Sequence, residues 1–573
     1  MRQWARLVAF SILLAAAFGF AGVRSAVAAQ GTRLSLNPAA GPLLSGNERA
    51  VFIERDAAQA QDAIWSVRLD GSGRARISPD VPLAKLGGFL VTADGARVVF
   101  RSDADSDGRF RLFSAPADGS AAAIPIDGAP IDPVLADVRS FRLTADGTRA
   151  IFLANLDEVA KFELYSVTLT GGTPTRLLLA FPELIQDYRL SPSAEWMVIK
   201  FRNPVQTGNY DLYRAETDQP SFPEKVNDSL DGPSEKIWSW QLSPTGEHVV
   251  WISNEDGGTI DIFSRPLGGG GKQMLNGTLQ AENVLAETGP NMPIAVSPNG
   301  QYVLFAMRST TWPTHLTELY LAPVGGWPSN SGAPDFIGYD RPTGGRIEFS
   351  PDSAWIVYRG GSELVARSTD GEDGPCAISQ SLASPNQGFG YAVEVLDFAI
   401  HPDSLRTAYT ALVTDTLTQQ SRGRGLFFTS SGGPDLINLC GFGLNDSRPV
   451  WYDLSGPIPQ STLADLPVMA SGYDDLLFTR RDSAPDVPKI FRNDWGGTDF
   501  WRVSLSGGTG VALGSLKLTP DGKTLVYNAD YEGDSAPFSD IWSTGWPLFE
   551  NGFECGTAPW SSPAVDPCLI QVP

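Results

Sequence analysis

The sequence predicts an all-β fold, a β-propeller, and three observations predict it. A short strand running through a Ser/Thr-Pro/Ala-Asp-Gly-like turn into a β-branched and aromatic strand recurs ten times, at intervals of roughly fifty residues. A Leu/Ile-aromatic pair follows each turn in most copies, from Ile64-Trp65 and Leu112-Phe113 through Leu319-Tyr320 to Phe427-Phe428, Phe500-Trp501 and Ile541-Trp542. Several copies then close on Asp-Gly or Gly-Gly, as at Asp118-Gly119 and Gly171-Gly172. Strand, turn, strand, turn, strand and Gly turn make a meander, and a fourth strand completes a blade.

The elements follow in chain order. Residues 1–28 read as an export signal: Arg2 and Arg6 open it, Leu7 to Gly22 is apolar, and Ala26-Val27-Ala28 offers a cleavage site. That apolar run is short for a membrane span and no second one follows, so no integral membrane segment is expected after cleavage. Arg33 to Leu36 is expected as a strand that completes the last blade and removes an open sheet edge. The repeats occupy 29–545, with turns beginning after Leu43, Leu90, Leu143, Leu190, Leu242, Val296, Phe349, Ile400, Ala470 and Leu518.

In LSPTG and LTPDG the Ser or Thr bonds the backbone, Pro fixes φ and Gly accommodates the fourth position, which is type I turn chemistry. The next strand, such as Val98-Val99-Phe100, is apolar without alternation, as expected where both faces of a sheet are covered. One large toroid of eight to ten blades is expected, with two smaller propellers as the alternative. The spacing stretches before Ser471, and residues 546–573 form a Cys/Pro-rich tail.

The turn and its downstream aromatic pair resemble the TolB-type propeller repeat, a relative of the WD repeat found in exported bacterial proteins and in the propeller domains of prolyl-oligopeptidase-like enzymes. The resemblance runs from Leu43 to Ser543 and implies a fold rather than an activity.

Composition narrows the function. The net charge is −22, and loss of Arg2, Arg6 and Arg24 with the leader makes it −25. Acidic and basic residues are interspersed, which argues against nucleic acid as a partner. Cys376, Cys440, Cys555 and Cys568 form an even set in a chain expected to be exported, so disulfides are expected over metal thiolates, with all three pairings open. Asp103, Asp105 and Asp107 before Gly108 spell DxDxDG, the opening of a calcium loop. Its twelfth position is Ser114 rather than Glu, and the segment sits where other repeats carry acidic hairpins such as NEDGG, so a solvated hairpin is the competing expectation. His248, His315 and His401 occupy non-equivalent repeat positions, and no G-x-S-x-G elbow occurs. The expected function is a noncatalytic binding or scaffold propeller, periplasmic or extracellular, recognising an envelope protein or glycan. The alternative is a propeller enzyme acting on polysaccharide, lyase or hydrolase, with a site assembled across blades.

Overall fold

The computed structural model describes residues 32–545 with gaps, and over 415–516 it describes the strands by their backbone course alone. The longer gaps are 105–107, 129–135, 180–184, 203–209, 231–234, 256–259, 278–293, 309–316, 328–333, 341–346, 384–389, 416–420, 431–451, 454–467, 470–474, 482–487, 495–499, 503–509, 520–523 and 531–539. The leader and the tail therefore lie outside the described residues, as do Asp105, Asp107, His315, Cys440, Cys555 and Cys568.

The described strands form ten antiparallel sheets, numbered here in chain order. Sheet two runs Leu86–Val91, Arg97–Ser102, Arg111–Pro116 and Ile124–Pro125. Sheets three, four and five repeat this, starting at Val138–Leu143, Ile185–Leu190 and Ile237–Leu242. Sheets one and eight carry a fifth strand, Val81–Pro82 in one and Leu382–Ala383 in the other.

The turn explains why the sequence repeats. In seven copies the first-position hydroxyl accepts the N–H five residues on: Thr92 from Arg97 (3.0 Å), Ser243 from His248 (3.0 Å) and Ser350 from Trp355 (2.9 Å) are three of them. The fourth residue is left-handed and donates its N–H to the first carbonyl, as Gly95 does to Thr92 (2.8 Å). Gly95 (φ 71°) also lies where a Cβ would meet the Gly46 backbone nitrogen at 2.6 Å, so each turn leans on the one before it. In sheets seven and eight Ser353 and Ser404 hold this position, and their hydroxyls accept the N–H of Asn299 and Asp352 in the preceding turns (2.9 Å each).

Each second strand is apolar on both faces because alternate residues serve different cores. Val98 and Phe100 pack toward sheet one, while Val99 packs toward sheet three. Trp251 joins the cluster between sheets four and five, whereas Val250 and Ile252 join that between five and six. The recurring aromatic is the cross-strand partner of the second strand: Phe100 stacks on Phe113 (5.4 Å between ring centres), Phe152 on Tyr165 (5.6 Å) and Trp251 on Phe263 (5.6 Å). In the ninth repeat the structure corrects the reading of Phe500-Trp501. That pair lies in the fourth strand, Phe500–Arg502, and the third is Pro488–Asp494, with Phe491 opposite Phe478. An apolar-aromatic pair suits either neighbour of a covered strand, so the pair alone does not number the strand.

Successive sheets pack on one another, and the last packs on the first. Leu34, Ala39, Ala50, Phe52, Val526 and Ile541 form one buried cluster between sheets ten and one. The expected N-terminal strand is present as Thr32–Arg33, paired with Ser543 and Trp542. The result is one closed toroid of ten sheets.

Candidate functional site

The first strands of sheets two to five border one cavity of about 900 Å3, which identifies them as the inner edges of their blades and the cavity as part of the central channel. A repeated pattern places them there. Phe89-Leu90-Val91-Thr92, Phe141-Arg142-Leu143-Thr144, Tyr188-Arg189-Leu190-Ser191 and Trp240-Gln241-Leu242-Ser243 align on the turn residue. The turn hydroxyl fixes the register, so the residue two before it takes the same place in each blade. Each of these strands also carries an irregularity toward its start, as between Val138 and Ser140 or Ile185 and Asp187. A bulge there re-aims the neighbouring side chain.

The charged residues of the described lining are Arg101, Arg139, Arg142 and Arg189. Arg142 donates from Nε to the Tyr188 carbonyl of the next blade (2.7 Å), and its guanidinium lies 5.3 Å from the Tyr188 ring centre. Arg189 repeats this one blade on, donating to the Trp240 carbonyl (2.9 Å) with its guanidinium 4.3 Å from the Trp240 ring. Asp187 lies between them, 3.4 Å from Arg142 and 3.6 Å from Arg189. Arg101 donates to the carbonyls of Gly87 (3.0 Å) and Val138 (2.8 Å), and burial lowers its pKa from the ordinary arginine value. Arg139 is exposed to the channel, with its guanidinium 3.4 Å from the Phe162 ring centre. Burial pushes the Tyr188 phenol up to about 12, so it stays neutral and donates to the Ile151 carbonyl (3.0 Å). The arrangement is a row of fixed cations set among Leu90, Val91, Phe141, Leu143, Leu190 and Leu242.

The residues singled out in the sequence lie elsewhere. Asp103 is 1% exposed, which corrects the solvated-hairpin expectation for this residue. Its carboxylate accepts from Lys85 Nζ (2.5 Å) and from the Gly108 N–H (3.1 Å), and its own N–H donates to the Lys85 carbonyl (2.8 Å). Asn155 and Asn254 follow the second strand in the same way, accepting the N–H of Asp137 (2.6 Å) and Lys236 (2.8 Å). Asp103 is thus the charged version of a repeated clasp on the start of the inner strand. Among the described residues no three His, Cys, Asp or Glu side chains gather into a metal-sized group. His401 is a buried turn residue that accepts the Ser404 N–H (2.9 Å), and burial lowers the His248 pKa. Outside the channel, Glu255 accepts from Lys272 (3.0 Å) and from the Trp251 ring N–H (3.3 Å), and burial raises its pKa.

The channel arginines were not found from the sequence, although a signal was there. Arg stands two residues before the turn in two consecutive repeats, and only alignment on the turn exposes it.

No family model and no curated protein sequence matches the chain. Solved structures do. A eukaryotic initiation factor is 10% identical over 70% of this chain and 87% of its own, with a TM-score of 0.41. The tricorn protease is 15% identical over 86% of this chain and 46% of its own (TM-score 0.29), so the chain spans about half of that one. TolB from Acinetobacter baumannii is 16% identical over 51% of this chain and 67% of its own (TM-score 0.24). Likeness of this degree singles out no family.

Proposed function

We propose that the chain is an exported, noncatalytic binding propeller of the cell envelope that receives its partner in the central channel. One observation carries the reading: the cavity of about 900 Å3 is bordered by four consecutive blades, and the charged side chains of its described lining are arginines. Guanidinium groups stay protonated and present several donors in a fixed plane, so they position an anion rather than shuttle protons. The leader pattern at 1–28 and the even set of four cysteines support an oxidising, exported setting. No helix among the described residues is long and apolar enough to cross a membrane.

Photo-crosslinking from the channel tests this. A photoreactive residue at Leu90, which lies in the lining, is expected to capture a discrete envelope partner of unaltered mass. The same residue at Phe222, 72% exposed just before the fourth strand of sheet four, is expected not to capture it. Identical adducts at both sites overturn the channel reading. A captured glycan shortened or carrying a new unsaturated end overturns the noncatalytic one.

A further inference from the structure

We infer that the channel wall of sheets two to five takes an extended acidic peptide segment of its partner, with carboxylates on the arginines and apolar side chains between them. The inference rests on the channel-binding reading above and names the ligand chemistry of that site.

Three observations lead to it. The first is a local inversion of charge: the chain carries −22, yet Arg101, Arg139, Arg142 and Arg189 meet in one cavity. Asp187 offsets the pair formed by Arg142 and Arg189, and Arg139 projects into the channel without a described carboxylate beside it. The second is preorganisation. Arg142 and Arg189 are held by carbonyls of the next blade and by ring faces, so binding an anion costs them little side-chain entropy. Each keeps guanidinium N–H groups beyond the one spent on that carbonyl, and these suit carboxylate oxygens.

The third observation separates a peptide from an anionic glycan. Sugar rings dock on open aromatic faces, and the aromatic residues at this wall are covered or half-buried: Phe89 and Phe141 line the cavity half-buried, and those behind it are closed. Tyr188 and Trp240 are 2% and 6% exposed, with Arg142 and Arg189 over their rings, and Arg139 covers Phe162. What remains between the cations is mostly aliphatic: Leu90 is 37% exposed, and Leu143, Leu190 and Leu242 are half-buried, as is Phe141. An extended peptide that carries acidic and apolar residues in turn along one face, at every second position, can set carboxylates at the arginines and apolar side chains at the leucines.

The experiment uses the full mature chain and three probes: a fluorescein-labelled peptide of repeated Glu-Ser-Leu-Ser, which carries Glu and Leu in turn on one face of an extended strand, the same peptide with Gln for Glu, and unlabelled polygalacturonate. The Glu peptide is expected to bind with an affinity that falls as salt rises, and the Gln peptide to bind about tenfold more weakly or worse. Arg139→Gln is the principal variant because its guanidinium holds no described carbonyl of the next blade. It is expected to weaken the Glu peptide several-fold with an unchanged melting midpoint, while Arg68→Gln, on an exposed arginine of sheet one, changes nothing. Equal binding of the Glu and Gln peptides overturns the inference, as does indifference to Arg139→Gln. Arg139-dependent displacement of the peptide by polygalacturonate overturns it in favour of a glycan. If Leu90 crosslinks a partner whose capture ignores Arg139→Gln, the acidic-peptide inference fails and the channel reading stands. If Leu90 captures nothing, both fall.

Discussion

Ser350 shows why a Ser or Thr hydroxyl recurs at the first turn position in seven of the repeats. It is fully buried, its hydroxyl accepts the Trp355 N–H (2.9 Å), and it donates to Asp352 (2.5 Å). Water cannot replace that acceptor, so Ser350→Ala is expected to cost about 1–3 kcal/mol and to lower the melting midpoint, whereas Ser350→Thr should stay near the parent, because Thr92 and Thr144 make the same bond. A midpoint unchanged in Ser350→Ala would show that the turn holds without its hydroxyl. At this scale the turn chemistry was legible, since side chain and backbone partner lie five residues apart. Asp103 was not: its partner Lys85 lies just before another strand, and its aspartate neighbours suggested a metal loop. The channel arginines were hidden for the same reason, their partners being 46 and 51 residues away.

Among the elements, the N-terminal strand does most with least length. Thr32–Arg33 pairs with Asp540–Gly545, Leu34 is 2% exposed, and the Ser35 hydroxyl accepts the Ile541 N–H (3.0 Å). Removing residues up to Leu36 unpairs the edge of sheet ten and uncovers the cluster shared with sheet one. Such a truncation is expected to lower the melting midpoint and to let a protease cut first in 510–545, read by mass spectrometry of the fragments. Cleavage in the parent pattern would mean that the strand is dispensable for closure. The element was foreseen, although at Arg33 to Leu36 rather than Thr32–Arg33, because an unfinished last blade demands a partner. The ninth repeat was misread because its third and fourth strands both carry apolar-aromatic pairs, and only pairing distinguishes them.

For the molecule as a whole, stability is shared between neighbours. Every fully described cluster straddles two sheets, so no blade keeps a core of its own. A fragment covering residues 32–277 would leave Val250, Ile252, Ile262 and Leu275 uncovered at its end and the first sheet without its partner. It is expected to bind hydrophobic dye and to melt without a cooperative transition. A sharp transition in that fragment would favour two separable propellers over one ring. Local chemistry, repeated often enough, determined most of this protein: the turn, the doubly covered strand and the aromatic pair each follow from residues close in sequence, which is why the propeller was readable. The tertiary structure alone decided that ten blades close into one ring, that Asp103 clasps Lys85, and that arginines from different repeats line one channel. Those facts depend on groups about fifty residues apart or more, or at the ends of different strands, and sequence spacing does not bring such groups together until the chain has closed.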